Sequence, residues 1–176
     1  VRVSHTRTLV ETGERVSFEP KPYETDPAKW VMMPAYAKPR RKVQLDRIDK
    51  LSAWAEECPI NKEIIRSDEL GVICSGAVYQ HVIEALPHAS VFKLGLTWPL
   101  PANALASFAS KVKEVYVIEE ASEYLTTQVR ALGIELSVPK NPLPRDGELT
   151  PGLIRQAFGI SVPEHADAPA DLPGRP

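Results

Sequence analysis

The reading of this chain turns on residues 70–79, Leu70-Gly71-Val72-Ile73-Cys74-Ser75-Gly76-Ala77-Val78-Tyr79. The first five are short, apolar and partly β-branched, the pattern of a strand buried on both faces. Ser75-Gly76 breaks the run. Val78, Val82 and Leu86 then recur four apart, with Tyr79 and Ile83 widening the stripe into a helix that Pro87 ends. A buried strand that turns directly into an amphipathic helix is the start of a β-α-β unit.

The alternation continues downstream. Ala89–Leu94 reads as a second strand ending at Gly95, and Pro99-Leu100-Pro101 leads into a helix with Leu105, Phe108, Ala109 and Val112 on one face. Glu114–Ile118 reads as a third strand, closed by Glu119-Glu120. Ser122 is placed to cap a helix with Leu125, Val129 and Leu132 inward, Glu123 in its first turn and Gly133 as its C-terminal cap. Ile134–Val138 is the predicted fourth strand. The expected fold is α/β: a three-layer α/β/α domain with a mostly parallel twisted sheet, right-handed crossovers and helices on both faces. An amphipathic helix over 44–58 precedes it, and a short helix opened by Thr150-Pro151 and stopped by Gly159 follows.

The chain holds 17 prolines against 9 glycines, and only Pro87, Pro99 and Pro101 fall between residues 61 and 138. Proline fixes φ and removes a donor, so it marks the segments outside the sheet. The expected organisation is an arm or connector over 1–43, the α/β domain over 44–160, and a flexible linker over 161–176. Within the arm, Leu9-Val10 and Arg15–Phe18 flank Glu11–Glu14 as a small hairpin that needs a partner to cover it.

With 43% hydrophobic and 25% charged residues the chain can bury a core, and its net charge of −2 gives no general pull toward nucleic acid or anionic lipid. No apolar run approaches the ~20 residues of a membrane span. The chain opens on Val1-Arg2-Val3-Ser4-His5, without Met or a signal-like apolar segment, as a processed product or a piece of a longer protein would. Cys58 and Cys74 lie in apolar settings, and the histidines at 5, 81, 88 and 165 are scattered. They make no zinc spacing; buried, reduced thiols and a cytoplasmic setting are the expectation, with no metal ligand.

In open α/β sheets ligands bind at the carboxyl ends of strands, so the loops there hold the candidates. Ser75 and Gly76 precede a helix N-terminus that suits an anion or a partner, yet one glycine is no phosphate loop, and a plain strand–helix turn is the competing reading. Lys93, Gly95, Thr97 and Trp98 converge after the second strand; alternatively Trp98 packs under the next helix and Lys93 is solvated. Glu119 and Glu120 look like an acid–base pair, but neighbours on an extended chain point to opposite sides. One is then structural and the other faces a cleft. His5, with Arg7 nearby, reads as an interface contact rather than a catalytic histidine. No nucleophile–base constellation is present, so no catalytic residue is expected.

Taken together, Gly71–Tyr79, Lys93-Leu94-Gly95-Leu96-Thr97-Trp98-Pro99-Leu100-Pro101 and Val117-Ile118-Glu119-Glu120 resemble the second domain of 2-oxoacid:ferredoxin oxidoreductases, most nearly the indolepyruvate-type alpha subunits. Arg2–Arg7 is similar to the end of the family's first, pyrimidine-side thiamine domain. Gly147–Pro151 is similar to its passage out of the second domain. Asp171–Pro176 is similar to its run-up to the diphosphate-binding domain. The resemblance implies a transketolase C-terminal-like fold inside an enzyme that oxidatively decarboxylates aryl pyruvates with coenzyme A. The products are an acyl-CoA, CO2 and reduced ferredoxin; thiamine diphosphate, magnesium and iron–sulfur clusters serve the reaction. The family's catalytic glutamate, cofactor-binding domains and cluster cysteines have no counterpart here, so this piece is expected to be non-catalytic and cofactor-free. Its partners would be the other domains and subunits, and the loops at 75–79, 93–101 and 119–120, Tyr79 included, would line substrate or coenzyme A access or an interface. Two other readings stay open: a free-standing flavodoxin-like module for a small anion or coenzyme A, and an interface domain of another thiamine dehydrogenase.

Overall fold

The computed structural model describes residues 12–162. The Arg2–Arg7 motif with His5 and Arg7, the first half of the expected hairpin, and nearly all of the 161–176 tail lie outside the described residues. Two helices, α1 (Pro27–Trp30) and α2 (Pro34–Glu56), lead into the α/β body. The body runs β1 (Lys62–Ile64), β2 (Leu70–Ser75), α3 (Val78–Ala85), β3 (Ser90–Leu94), α4 (Ala102–Ala109), β4 (Glu114–Ile118), α5 (Tyr124–Ala131) and α6 (Pro151–Ala157).

The strand order is β1-β3-β2-β4, with β2 central. Parallel pairing sets Val72 opposite Val91 and Tyr116, and Ile73 opposite Phe92 and Val117. Because successive side chains on a strand point to opposite faces, β2 feeds two separate cores. Val72 and Cys74 face α3 and α6 with Val82, Val91, Ile118 and Ile154. Ile73 faces α4 and α5 with Phe92, Leu105, Phe108 and Val129. Phe92 and Phe108 meet edge-on, centroids 5.6 Å apart. The three-layer α/β/α architecture with a mostly parallel sheet is therefore present, consistent with a transketolase C-terminal-like fold.

Four local expectations are corrected. Ile134–Val138 is not a strand: Ser137 N–H donates to Val115 O at 2.8 Å, and that is its one backbone link to β4 among the described residues. Two residues on, where a ladder would donate again, stands Pro139, which has no N–H. The fourth strand is instead β1, antiparallel to β3, and too short and charged to show a period. Arg15–Phe18 forms no strand; Val16 and Phe18 are more than 80% exposed. Finally, the helix expected at 44–58 starts ten residues earlier, at Pro34. Pro34 occupies its first turn, where its fixed φ is compatible and its missing N–H is no loss, and Pro39 is tolerated inside it. Prolines of the expected 1–43 arm thus sit partly in helix.

The caps after the sheet follow the sequence more closely. Thr150 Oγ1 accepts the Leu153 N–H at 3.3 Å at the start of α6. Gly133 and Gly159, at φ of +81° and +70°, end α5 and α6 in the left-handed region that favours glycine. Cys58 and Cys74 are buried free thiols, and no described helix is long and apolar enough to cross a membrane.

Candidate functional site

The carboxyl ends of β2, β3 and β4 open into one cleft. Its walls are Ser75, Gly76, Ala77 and Val78 from the β2–α3 turn, Thr97 from the loop after β3, and Glu119–Ser122 with Tyr124 after β4. Ser75, Gly76, Thr97, Glu119 and Glu120, singled out from the sequence, are thus brought together. Tyr124 and Ala121 were not foreseen, and Ala121 stands at φ +68°. No apolar period or motif marks either one.

The two glutamates diverge, as adjacent strand residues must. Glu119 Oε2 and Oε1 accept the backbone N–H groups of Leu125 and Thr126 at 2.7 and 2.8 Å, which caps α5. Glu119, not Ser122, therefore does the capping. Glu120 Oε1 accepts the Leu149 N–H at 3.0 Å, tying the segment before α6 to the end of β4. Both carboxylates thus hold backbone. Glu56, on α2, caps α4 in the same way through the N–H groups of Asn103 and Ala104, at 3.1 and 3.0 Å. That role was invisible locally because the partners lie nearly fifty residues apart. The start of α3 has no side-chain cap; instead the Tyr79 and Gln80 N–H groups donate to the Gly76 and Ala77 carbonyl oxygens at 3.4 and 3.0 Å.

The remaining candidates sit apart. Lys93 Nζ lies 5.3 Å from the centroid of the Tyr79 ring, on a half-buried side chain, so Lys93 is neither simply solvated nor in the cleft. Trp98 is 54% exposed and does not pack under α4; the bond to Pro99 is cis. Gly95 is structural. A Cβ there would fall 2.5 Å from the Ile60 carbonyl oxygen, and its N–H and that of Leu96 bond to Asn61 Oδ1 at 2.9 and 3.1 Å. Asn61 was missed, since a lone asparagine before a three-residue strand carries no signal.

Beneath the cleft, burial pushes the Cys74 thiol up to about 12, with Lys93 pulling weakly the other way, so it is protonated at neutral pH and no nucleophile. A second cleft beside α5 is lined by Thr126, Arg130, Leu136 and the prolines at 139, 142 and 144, with Arg145 paired to Glu123 at its rim. Among the described residues, no group of three or more His, Cys, Asp or Glu side chains gathers to hold a metal ion. The donors needed to ligate magnesium or an iron–sulfur cluster are thus not assembled among those residues.

An open α/β domain with a mostly parallel sheet and a strand-end cleft, its Glu119 and Glu120 carboxylates bonded to backbone N–H groups, defines the class. Nearly the whole chain is similar to one stretch of the indolepyruvate oxidoreductase subunit IorA, as its strand-end loops lead one to expect. It is 32% identical to the subunit of Methanothermobacter marburgensis and 33% identical to that of Methanothermobacter thermautotrophicus; each alignment covers 99% of this chain and 31% of the relative. The Archaeoglobus fulgidus subunit is 29% identical over 76% of this chain and 22% of its own length. The chain therefore spans between about a fifth and a third of the length of these curated relatives. No family model matches it, and no solved structure does.

Proposed function

We propose that this chain is the non-catalytic central domain of a thiamine-diphosphate-dependent indolepyruvate:ferredoxin oxidoreductase. The parent enzyme converts an aryl 2-oxo acid and coenzyme A, with oxidised ferredoxin as electron acceptor, to acyl-CoA, CO2 and reduced ferredoxin. Thiamine diphosphate, magnesium and the iron–sulfur clusters are held by other parts of that enzyme, and this domain joins and spaces them in the cytoplasm. The observation that carries the reading is the similarity of 99% of the chain to a single stretch of IorA. Its physical support is that Glu119 and Glu120, the most acid–base-like residues of the strand ends, are bound to backbone N–H groups.

The strand-end loops, including Thr97 and Trp98, face whatever domain, substrate or coenzyme A approaches the open cleft. A free-standing anion-binding module has less support, because the Tyr79 and Gln80 N–H groups at the start of α3 already bond to the Gly76 and Ala77 carbonyl oxygens, and Glu119 and Glu120 line the same cleft. The deciding experiment is calorimetry of the isolated chain with thiamine diphosphate and magnesium. No heat of binding is expected. Tight stoichiometric binding would overturn the assignment.

A further inference from the structure

We infer that α2 and the turn feeding it form a docking element for an acidic protein surface in the remaining two-thirds of the IorA-type subunit. This rests on the reading that the chain works within such a subunit. Helix α2 has 23 residues, yet Ala55 is its only buried residue. Ile48 and Leu51 are half-buried, and Glu56 caps α4, so attachment to the body is confined to the last turns. In the first half, about 17 Å at 1.5 Å per residue, only Tyr36, Ala37 and Arg40 are half-buried and the other side chains are exposed.

Such a half-helix does not stabilise itself. Most helical stability in proteins comes from packing one face, and Pro39 removes one ladder bond from this helix. Val43 and Leu45 on this helix are more than 40% exposed, apolar side chains that the body does not cover. At its foot Trp30, Val31, Met32 and Met33 are four consecutive apolar side chains, each roughly half exposed, from 47% at Val31 to 61% at Trp30. Tryptophan, methionine and arginine are the residues enriched at protein interfaces.

Charge identifies the partner's chemistry. Lys38, Arg40, Arg41, Lys42, Arg47 and Lys50 face only Asp46 and Asp49 within this stretch, on a chain whose net charge is −2. Among the described residues, none of the six is within ion-pair distance of a carboxylate. The surface they fit is acidic around an apolar pocket. A second copy of this chain fits poorly, because a two-fold contact would set the basic stretch against itself. The relatives supply another candidate directly: about two-thirds of each lies outside the matched stretch.

The test is hydrogen–deuterium exchange over residues 36–47 in the full-length subunit containing this segment and in the isolated chain. Exchange should slow at least about 100-fold in the full subunit. Met33→Asp or Arg41→Glu should each restore at least about tenfold of that rate, while Lys62→Glu on the β1 edge should not. Equal exchange in both proteins would overturn the inference, as would protection in the isolated chain through a concentration-dependent dimer. Recruitment of the isolated chain to phosphatidylserine vesicles that Arg41→Glu abolishes would also overturn it, in favour of a lipid surface. Indolepyruvate-dependent acceptor reduction by the full enzyme reports separately on the functional reading: an active enzyme with an unprotected α2 sinks the docking alone.

Discussion

Glu119 accepts the backbone N–H of Leu125 at 2.7 Å, so the acidic residue closing β4 is the cap of the next helix. Its second oxygen takes the Thr126 N–H, and Glu56 repeats the arrangement at α4. A carboxylate at a helix N-terminus satisfies orphan donors and complements the dipole. Carboxyl groups placed where chemistry is often found are here engaged in holding helices to the sheet.

Glu119→Ala should therefore destabilise the domain by about 1–2 kcal/mol, the usual cost of losing a side-chain cap. Glu119→Gln keeps one oxygen acceptor but turns an NH2 toward the second N–H and loses the charge, so it should recover only part of that loss. Chemical denaturation followed by circular dichroism measures both. Equal stability of Glu119→Ala and the parent would remove the capping role and reopen the residue as a site.

Two glycines of the strand-end loops should respond differently to the same change. Gly95→Ala sets a Cβ 2.5 Å from the Ile60 carbonyl, a backbone atom that cannot swing aside. The expected loss is about 1–3 kcal/mol, as for overpacking. Gly76→Ala meets nothing within 4 Å, but Gly76 holds φ at +59°. Its cost is conformational, about 1–2 kcal/mol. The two separate when α3 is probed by exchange: Gly76→Ala should loosen its first turn, and Gly95→Ala the Asn61 contacts. The same pattern in both variants would refute the distinction.

What the sequence showed of this fold was what periodicity and caps encode. The run Val72-Ile73-Cys74, the stripe Val78/Val82, the Thr150 cap and the glycines at 133 and 159 all reappear in place. What it hid depends on distant partners. Strand β1 exists because β3 offers it an edge, and Glu56 matters because α4 folds against the end of α2. The strand expected at 134–138 failed because one proline outweighed five well-patterned residues. At the site, the loops forming the cleft were legible from the topology rule, but which loop residue turns inward was not. Trp98 points out and Lys93 lies over Tyr79, a choice made by packing across the sheet.

Cys74 makes stability depend on pH in the alkaline range. Its thiol titrates near 9.0 when exposed and at about 12 in the fold. Between those values the unfolded chain binds fewer protons than the native one, so stability falls as pH rises, by up to roughly 1.4 kcal/mol per unit. The contribution is complete below pH 9 and gone once the native thiol ionises. Burial, then a 2.9 Å bond to Glu114, pushes Tyr116 upward too, which adds to the same slope. Unfolding titrations at pH 7 to 11 should show the decline, and Cys74→Ala should flatten it. An unchanged slope in that variant would assign the decline to other groups.

Lys93 and Trp98 allow a sharper separation of folding from assembly. Lys93→Ala removes a cation 5.3 Å from the Tyr79 ring, a contact worth about 0.5–1 kcal/mol at a partly exposed site. Trp98→Ala removes an indole that is 54% exposed, so stability should stay within about 0.5 kcal/mol of the parent. Neither side chain holds a helix or fills a core; Lys93 lies near the end of β3 and Trp98 in the loop that follows it. If that end meets a neighbouring domain or admits substrate, the two variants should weaken assembly of the full enzyme or raise its KM, with kcat nearly unchanged. The measurement is steady-state kinetics on the assembled enzyme, beside denaturation of the isolated chain. A fall in kcat with assembly and KM intact would place one of these residues in the chemical step and contradict the non-catalytic role proposed for this domain.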